Sequence, residues 1–264
     1  MHVAVSGRLV FIGHPYRDIV YVFRASRDAK SFKLYHKLKC PNAIQTLHCE
    51  SSNMFGACIS ADCMYRSSPH KCRILVGAPG ASMFKEYRSS DCVGGAFLFE
   101  SDDGGRNWAC TRMFAPEFPV RKSHFGLSVS LYNTRILIGA PGATIRSCST
   151  CVTRTGGVFA TTDYSVEPHH RRTPLLLSSR LDEYAAKEGR KSCFGSNVAV
   201  SSDFVVVSYA HRVYVTCAQF SVLSVFCVGD NNIIRSVCIE NARVVVGAVG
   251  VRLQRCSSSF QGCV

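Results

Sequence analysis

The stretch Arg73–Ser82 reads RILVGAPGAS, and Arg135–Thr144 reads RILIGAPGAT. Only conservative changes separate them, and their Gly-Ala-Pro triplets stand 62 residues apart. Each is a short, near-continuous apolar run of the kind expected for a strand buried on both faces. Glycine at the end of such a strand permits close backbone approach or a positive φ. Proline then withdraws a ladder donor and stops the strand. The phrase is a strand with a stop signal at a crowded place, written twice.

Working outward from it gives a larger unit. FGLSVSLYNT precedes the second triplet from Phe125, and FGACISADCMYRSSPHKC precedes the first from Phe55. Both open on Phe-Gly, run through a short alternating strand, turn, and enter the strand that ends at Gly-Ala-Pro. Glycine-led strands follow, GGAFLFE from Gly94 and GGVFATT from Gly156. Weaker copies begin at Phe194, with Ser208 in place of the triplet glycine, and at Ile234, with Gly247-Ala248-Val249. The N-terminus supplies Gly13-His14-Pro15. The five junctions are spaced 64, 62, 69 and 39 residues apart, the length of four strands and their turns. Val244, Val245 and Val246 form another continuous apolar run, expected to be buried on both faces.

In this order the motifs resemble the FG-GAP repeat, the blade unit of the β-propeller in integrin α-subunits, over nearly the whole chain. The resemblance implies an all-β fold, a single propeller domain over 1–264. Its blades are expected at about 1–53, 54–123, 124–192, 193–232 and 233–264, either as a compact ring or as an incomplete one finished by a partner. It places ligand contacts on the loops joining strands two to three and four to one. The loops after the two triplets offer Phe84, Lys85, Tyr87 and Arg88, then Ile145, Arg146 and Arg154. Aromatic and arginine side chains are the usual anchors of interfaces. HHRR at His169–Arg172 adds charge on the same side.

Integrin-type blades often carry a calcium loop, Asp-x-Asp-x-Asp-Gly. The corresponding loops here, SLYNT and SSD, lack the oxygen ligands calcium needs. In the second repeat that loop is an insertion flanked by Cys63 and Cys72, where a disulfide would serve as the staple; the alternative is two thiols. No cofactor is expected.

Other motifs carry less. SDDGGRNW, Ser101–Trp108, fits the Asp-box turn of sialidase-type propellers, and its expected role is local: Asp103 folding back on turn amides, Gly105 at positive φ, Trp108 over the turn. The acids and arginine cluster of a sialidase are missing. CSTC at Cys148–Cys151, with His169 and His170 beyond, is a poor zinc pattern. A short helix is expected near Ser178–Gly189. No phosphate loop, HExxH or nucleophile elbow occurs, so the expectation is a non-enzymatic protein.

Composition sets the remaining bounds. The chain has 264 residues, 47% of them hydrophobic, and a net charge of +13. That charge suits an acidic partner surface or nucleic acid. No apolar stretch reaches the roughly 18 residues of a membrane-spanning helix. Fifteen cysteines are either a disulfide set with one left over or reduced, buried thiols. The odd count, the lack of a sequon and a start at MHVAVSGRLVFIG that reads as a strand pair all favour an intracellular or organellar complex. Cell-surface adhesion is the alternative. The leading function is a structural subunit that binds protein partners.

Overall fold

A computed structural model describes residues 1–41, 52–64, 71–82, 84, 87, 91–116, 118–147, 151–153, 156–162, 193–209, 211–217, 222–228, 233–240 and 243–249. The described chain is all-β apart from one 3-10 turn at Pro15–Arg17. Sheet one holds β1 (Val3–Ser6), β2 (Leu9–His14), β3 (Ile19–Ala25) and β4 (Phe32–Lys39). Sheet two holds β5 (Cys58–Met64), β6 (Lys71–Ala78), β7 (Gly95–Ser101) and β8 (Ala109–Phe114). Sheet three holds β9 (Ser128–Tyr132), β10 (Arg135–Ala140) and, beyond an inserted hairpin of β11 (Ile145–Ser147) and β12 (Cys151–Thr153), β13 (Gly157–Thr162). Sheet four holds β14 (Val198–Val200), β15 (Phe204–Tyr209), β16 (Arg212–Cys217) and β17 (Val222–Cys227). Sheet five holds β18 (Ile233–Glu240) and β19 (Arg243–Val249). Within each sheet the described strands pair antiparallel with sequence neighbours, apart from β10 with β13, which the hairpin separates, and isolated parallel bridges join Gly94 to Phe125 and Gly156 to Phe194.

The core is a series of layers between consecutive sheets. Leu9, Phe11 and Val22 of sheet one meet Phe55, Ile59 and Ile74 of sheet two. Leu75 and Leu98, on the opposite face of sheet two, meet Phe125, Val129 and Ile138. Leu137 and Val158 meet Phe194 and Val207, and Val206 and Val213 meet Ile234 and its neighbours. Strands such as Ile74-Leu75-Val76 are therefore apolar on both sides because each side is a different interface. The first strands of successive sheets lie beside one another, β1 by β5, β5 by β9, β9 by β14 and β14 by β18.

The run Val244–Val246 departs from expectation. Val244 and Val246 pack on sheet four, whereas Val245 is 66% exposed, because among the described residues no sheet covers the outer face of sheet five.

The opening motif has its physical reason at the sheet junctions. A β-carbon on Gly13 would lie 2.0 Å from the Gly56 carbonyl oxygen; on Gly77, 2.0 Å from that of Gly126; on Gly139, 2.1 Å from that of Gly195. Each triplet glycine thus abuts the Phe-Gly glycine of the next sheet. That second glycine has φ of +89°, +86° and +84° at Gly56, Gly126 and Gly195, which disfavours a side chain. Its amide donates to the triplet carbonyl of its own sheet: Gly56 to Gly77 at 3.0 Å, Gly126 to Gly139 at 3.0 Å, Gly195 to Ser208 at 3.1 Å. The preceding phenylalanine is buried against aromatic rings, Phe125 on Phe159 at 4.9 Å and Phe55 on Phe97 at 5.8 Å.

Candidate functional site

In sheets one, two and four, four antiparallel strands bring the two-to-three and four-to-one loops to one end of the sheet, the end nearest the triplets. Its supports are short hydrogen bonds. Asp18, at φ +53°, holds Ser52, Asn53 and Phe55: its carboxylate accepts from Ser52 Oγ at 3.0 Å, Asn53 N at 3.1 Å and Phe55 N at 2.9 Å. Between sheets two and three, Lys122 N donates to Asp91 O, His124 N to Cys92 O, and Ser123 Oγ to Val93 O at 2.7 Å. Cys92, Lys122 and His124 all take positive φ there, a cost carried by these bonds. Burial first, and then the Lys122 charge, lower the His124 pKa. Arg121 pairs with Asp91 at 3.4 Å and stays largely exposed.

The sequence candidates are placed as follows. Phe84 and Tyr87 sit edge to face at 6.2 Å, both half-buried, and Tyr87 donates to Pro119 O at 3.2 Å. They brace the loop as much as they display it. Lys85, Arg88 and Arg154 lie outside the described residues, and Arg146 is described only as a position in β11. His169, His170, Cys148 and the expected helix also lie outside them.

Two aromatics that the sequence reading missed dominate the described surface. Tyr16 is 84% and Phe118 is 72% exposed, flanked by Arg17 and by Arg121 and Lys122. Neither belongs to the repeat pattern, so the periodicity could not find them. The signal available was Tyr-Arg directly after the Gly13-His14-Pro15 triplet, and an aromatic seven residues ahead of Phe125.

Cys63 and Cys72 face each other across β5 and β6, as the staple required, but both are thiols. The hydrogen bond between them, and then burial, hold Cys63 protonated; at Cys72 the same hydrogen bond lowers the pKa against the upward pull of burial. No group of three or more His, Cys, Asp or Glu suited to a metal occurs among the described residues.

The Asp box closes the β7–β8 hairpin at the opposite end. Asp103 accepts from Arg106 N at 2.8 Å, Asn107 N at 3.0 Å, Asn107 Nδ2 at 2.7 Å and Ser101 Oγ at 2.7 Å. Loss of water works upward on its pKa, but these bonds outweigh it and hold the carboxyl at about 2. Trp108 Nε1 donates to Gly105 O at 3.0 Å, and the indole packs edge-on to Phe11 at 5.8 Å. The box is a clamp between sheets one and two.

No helix among the described residues is long and apolar enough to cross a membrane. Comparison with protein-family models finds no match, and comparison with curated proteins finds none either.

Proposed function

We propose that this chain is a non-enzymatic interaction scaffold of the propeller type, serving as a structural subunit that grips a protein partner with its loop end. Tyr16 and Phe118, exposed on two separate loops of that end and close in sequence to Arg17, Arg121 and Lys122, carry the reading. Rings held in water by a rigid frame are costly unless something covers them, and aromatic–arginine clusters are the composition of interface anchors. The repeated glycine-on-glycine junction supports the FG-GAP blade assignment. The net charge of +13 points to an acidic partner surface. Opposed but unbridged Cys63 and Cys72 suit a reducing compartment.

The test is affinity capture with wild type, the double variant Tyr16→Ala/Phe118→Ala, and Arg106→Ala at the opposite end. A stoichiometric protein partner retained by wild type and Arg106→Ala but lost by the double variant supports the reading. Retention by the double variant refutes it.

A further inference from the structure

The first three sheet-to-sheet interfaces share one hydrogen-bonding rule. In each first strand, alternate amides pair with the second strand of the same sheet, and the others point away from it. Those others are met by side chains from the first strand of the preceding sheet. Ile59 N donates to His2 Nδ1 at 3.2 Å and Cys63 N to Ser6 Oγ at 2.9 Å. Leu131 N donates to Ser60 Oγ at 2.9 Å and Asn133 N to Asp62 Oδ2 at 2.8 Å. Val200 N donates to Ser130 Oγ at 3.0 Å. Each of these three interfaces has an acceptor-bearing face and an amide-bearing face.

Both faces also exist without a mate. Gly13 N donates to His2 O, so the pairing with β2 alternates and leaves the amides of Val3 and Val5 on the outer side of β1. These two residues are 50% and 64% exposed. By register with β2, they sit on one face with Ile12, Val10 and, across β3, Tyr21 and Phe23. The matching positions of sheet two, Ile59, Val76, Ile74, Phe97 and Phe99, are all buried against sheet one. Sheet one therefore carries a complete amide-bearing face with no sheet packed on it among the described residues.

Sheet five carries the other half. Ser236 stands opposite Gly247 as Ser128 stands opposite Gly139 and Cys58 opposite Gly77. Cys238 takes the position of the acceptors Ser60 and Ser130, and both Ser236 and Cys238 are exposed. Val245 takes the position of Leu75 and Leu137, which are buried against the next sheet. Arg243 takes that of Arg135, which reaches the carbonyls of Ser201 and Ser202 on sheet four. Gly247 keeps the triplet glycine, and the three atoms nearest its absent β-carbon belong to Ser236 of its own sheet.

We propose that these two faces are mates, and that the outer face of sheet one receives sheet five of a second copy of this chain, head to tail. Within one chain, sheets one and five make no contact of the kind that joins successive sheets. A second copy supplies the same interface that already recurs inside the molecule. Such a heterologous contact extends or closes by rotation rather than pairing like with like. It uses neither Tyr16 nor Phe118, and stands or falls apart from the loop-end reading.

Sedimentation velocity on the whole chain tests it. Wild type is expected to associate with increasing concentration between about 1 and 100 μM. Val5→Asp and Val245→Asp, each on an exposed strand, are each expected to weaken association at least about tenfold, because a carboxylate would be buried unpaired. Leu34→Asp, on β4 of the same face and 42% exposed, replaces Val5→Asp should that variant fail to fold. The decisive sample is a mixture of Val5→Asp and Val245→Asp chains. It retains one intact pair of faces and is expected to give a one-to-one dimer and nothing larger. A monomeric wild type overturns the proposal. So does association that survives Val245→Asp, or a mixture that stays monomeric.

Discussion

Replacing Gly13 with alanine tests the junction rule directly. Gly13 does not lie in the positive-φ region, so alanine would ordinarily stabilise by about 0.4–1 kcal/mol through the unfolded chain. The structure reverses that sign. The new β-carbon would sit 2.0 Å from the Gly56 carbonyl oxygen and 2.9 Å from its carbon, with Ile59 Cδ1 at 3.1 Å. The obstacle is backbone, and Gly56 is itself fixed by its bond to Gly77. Sheets one and two must separate by roughly 1 Å, which places the cost at the upper end of overpacking, about 3 kcal/mol. That corresponds to a melting temperature lowered by about 6–12 °C in a chain of this size. Trp108, the only tryptophan, lies in the same layer against Phe11, so its fluorescence reports the separation during urea unfolding. An unchanged or raised melting temperature would refute the argument. Ser208 is the natural control: a side chain occupies the triplet position where the next sheet lacks Phe-Gly, and its hydroxyl accepts from Asn197 N at 3.0 Å.

Three further outcomes are expected. Ser130→Ala leaves the Val200 amide without its acceptor and costs about 1 kcal/mol in denaturant unfolding, with little change in m-value. Asp103→Asn lowers stability near neutral pH by about 1 kcal/mol, a modest figure because the turn is exposed and screened. Since the folded pKa of Asp103 lies below the ordinary 3.8, its contribution is present above that value and fades as pH falls toward 2. Thermal melts of variant and wild type should therefore converge on acidification. Alkylation of the native protein, read by mass spectrometry, should mark Cys193 and Cys227 quickly and leave buried Cys63 and Cys72 unmarked until unfolding.

Much of the architecture was readable because glycine and proline leave traces that other residues do not. Gly77 and Gly139 mark strand ends, and Phe55, Phe125 and Phe194 mark the start of the next unit, since each position admits almost nothing else. The Asp box was equally legible, being a local turn closed by its own side chains. The β11–β12 hairpin was not, because IRSCSTCVT has no turn glycine or alternating pattern to separate it from a loop. The loop-end aromatics escaped for a related reason: Tyr16 and Phe118 obey no period, and their exposure is set by neighbours far away in sequence. The side-chain ladder was visible in principle. Ser60, Asp62 and Ser130 alternate with apolar residues along first strands, and alternation alone reads as a solvated face. Only the neighbouring sheet reveals that those polar groups are spoken for.

The unequal junctions also bear on how the molecule comes apart. Among the described residues of one chain, sheets two, three and four each have two neighbours, whereas sheets one and five have one. The fourth junction lacks the glycine contact, and Ala199 stands where Ser60 and Ser130 offer acceptors. An array with nearest-neighbour coupling frays where its coupling is weakest. Amide exchange should thus run as a gradient along the chain, fastest in β18 and β19, slower in β1, and slowest in β6 and β10, where the protecting layers are doubled.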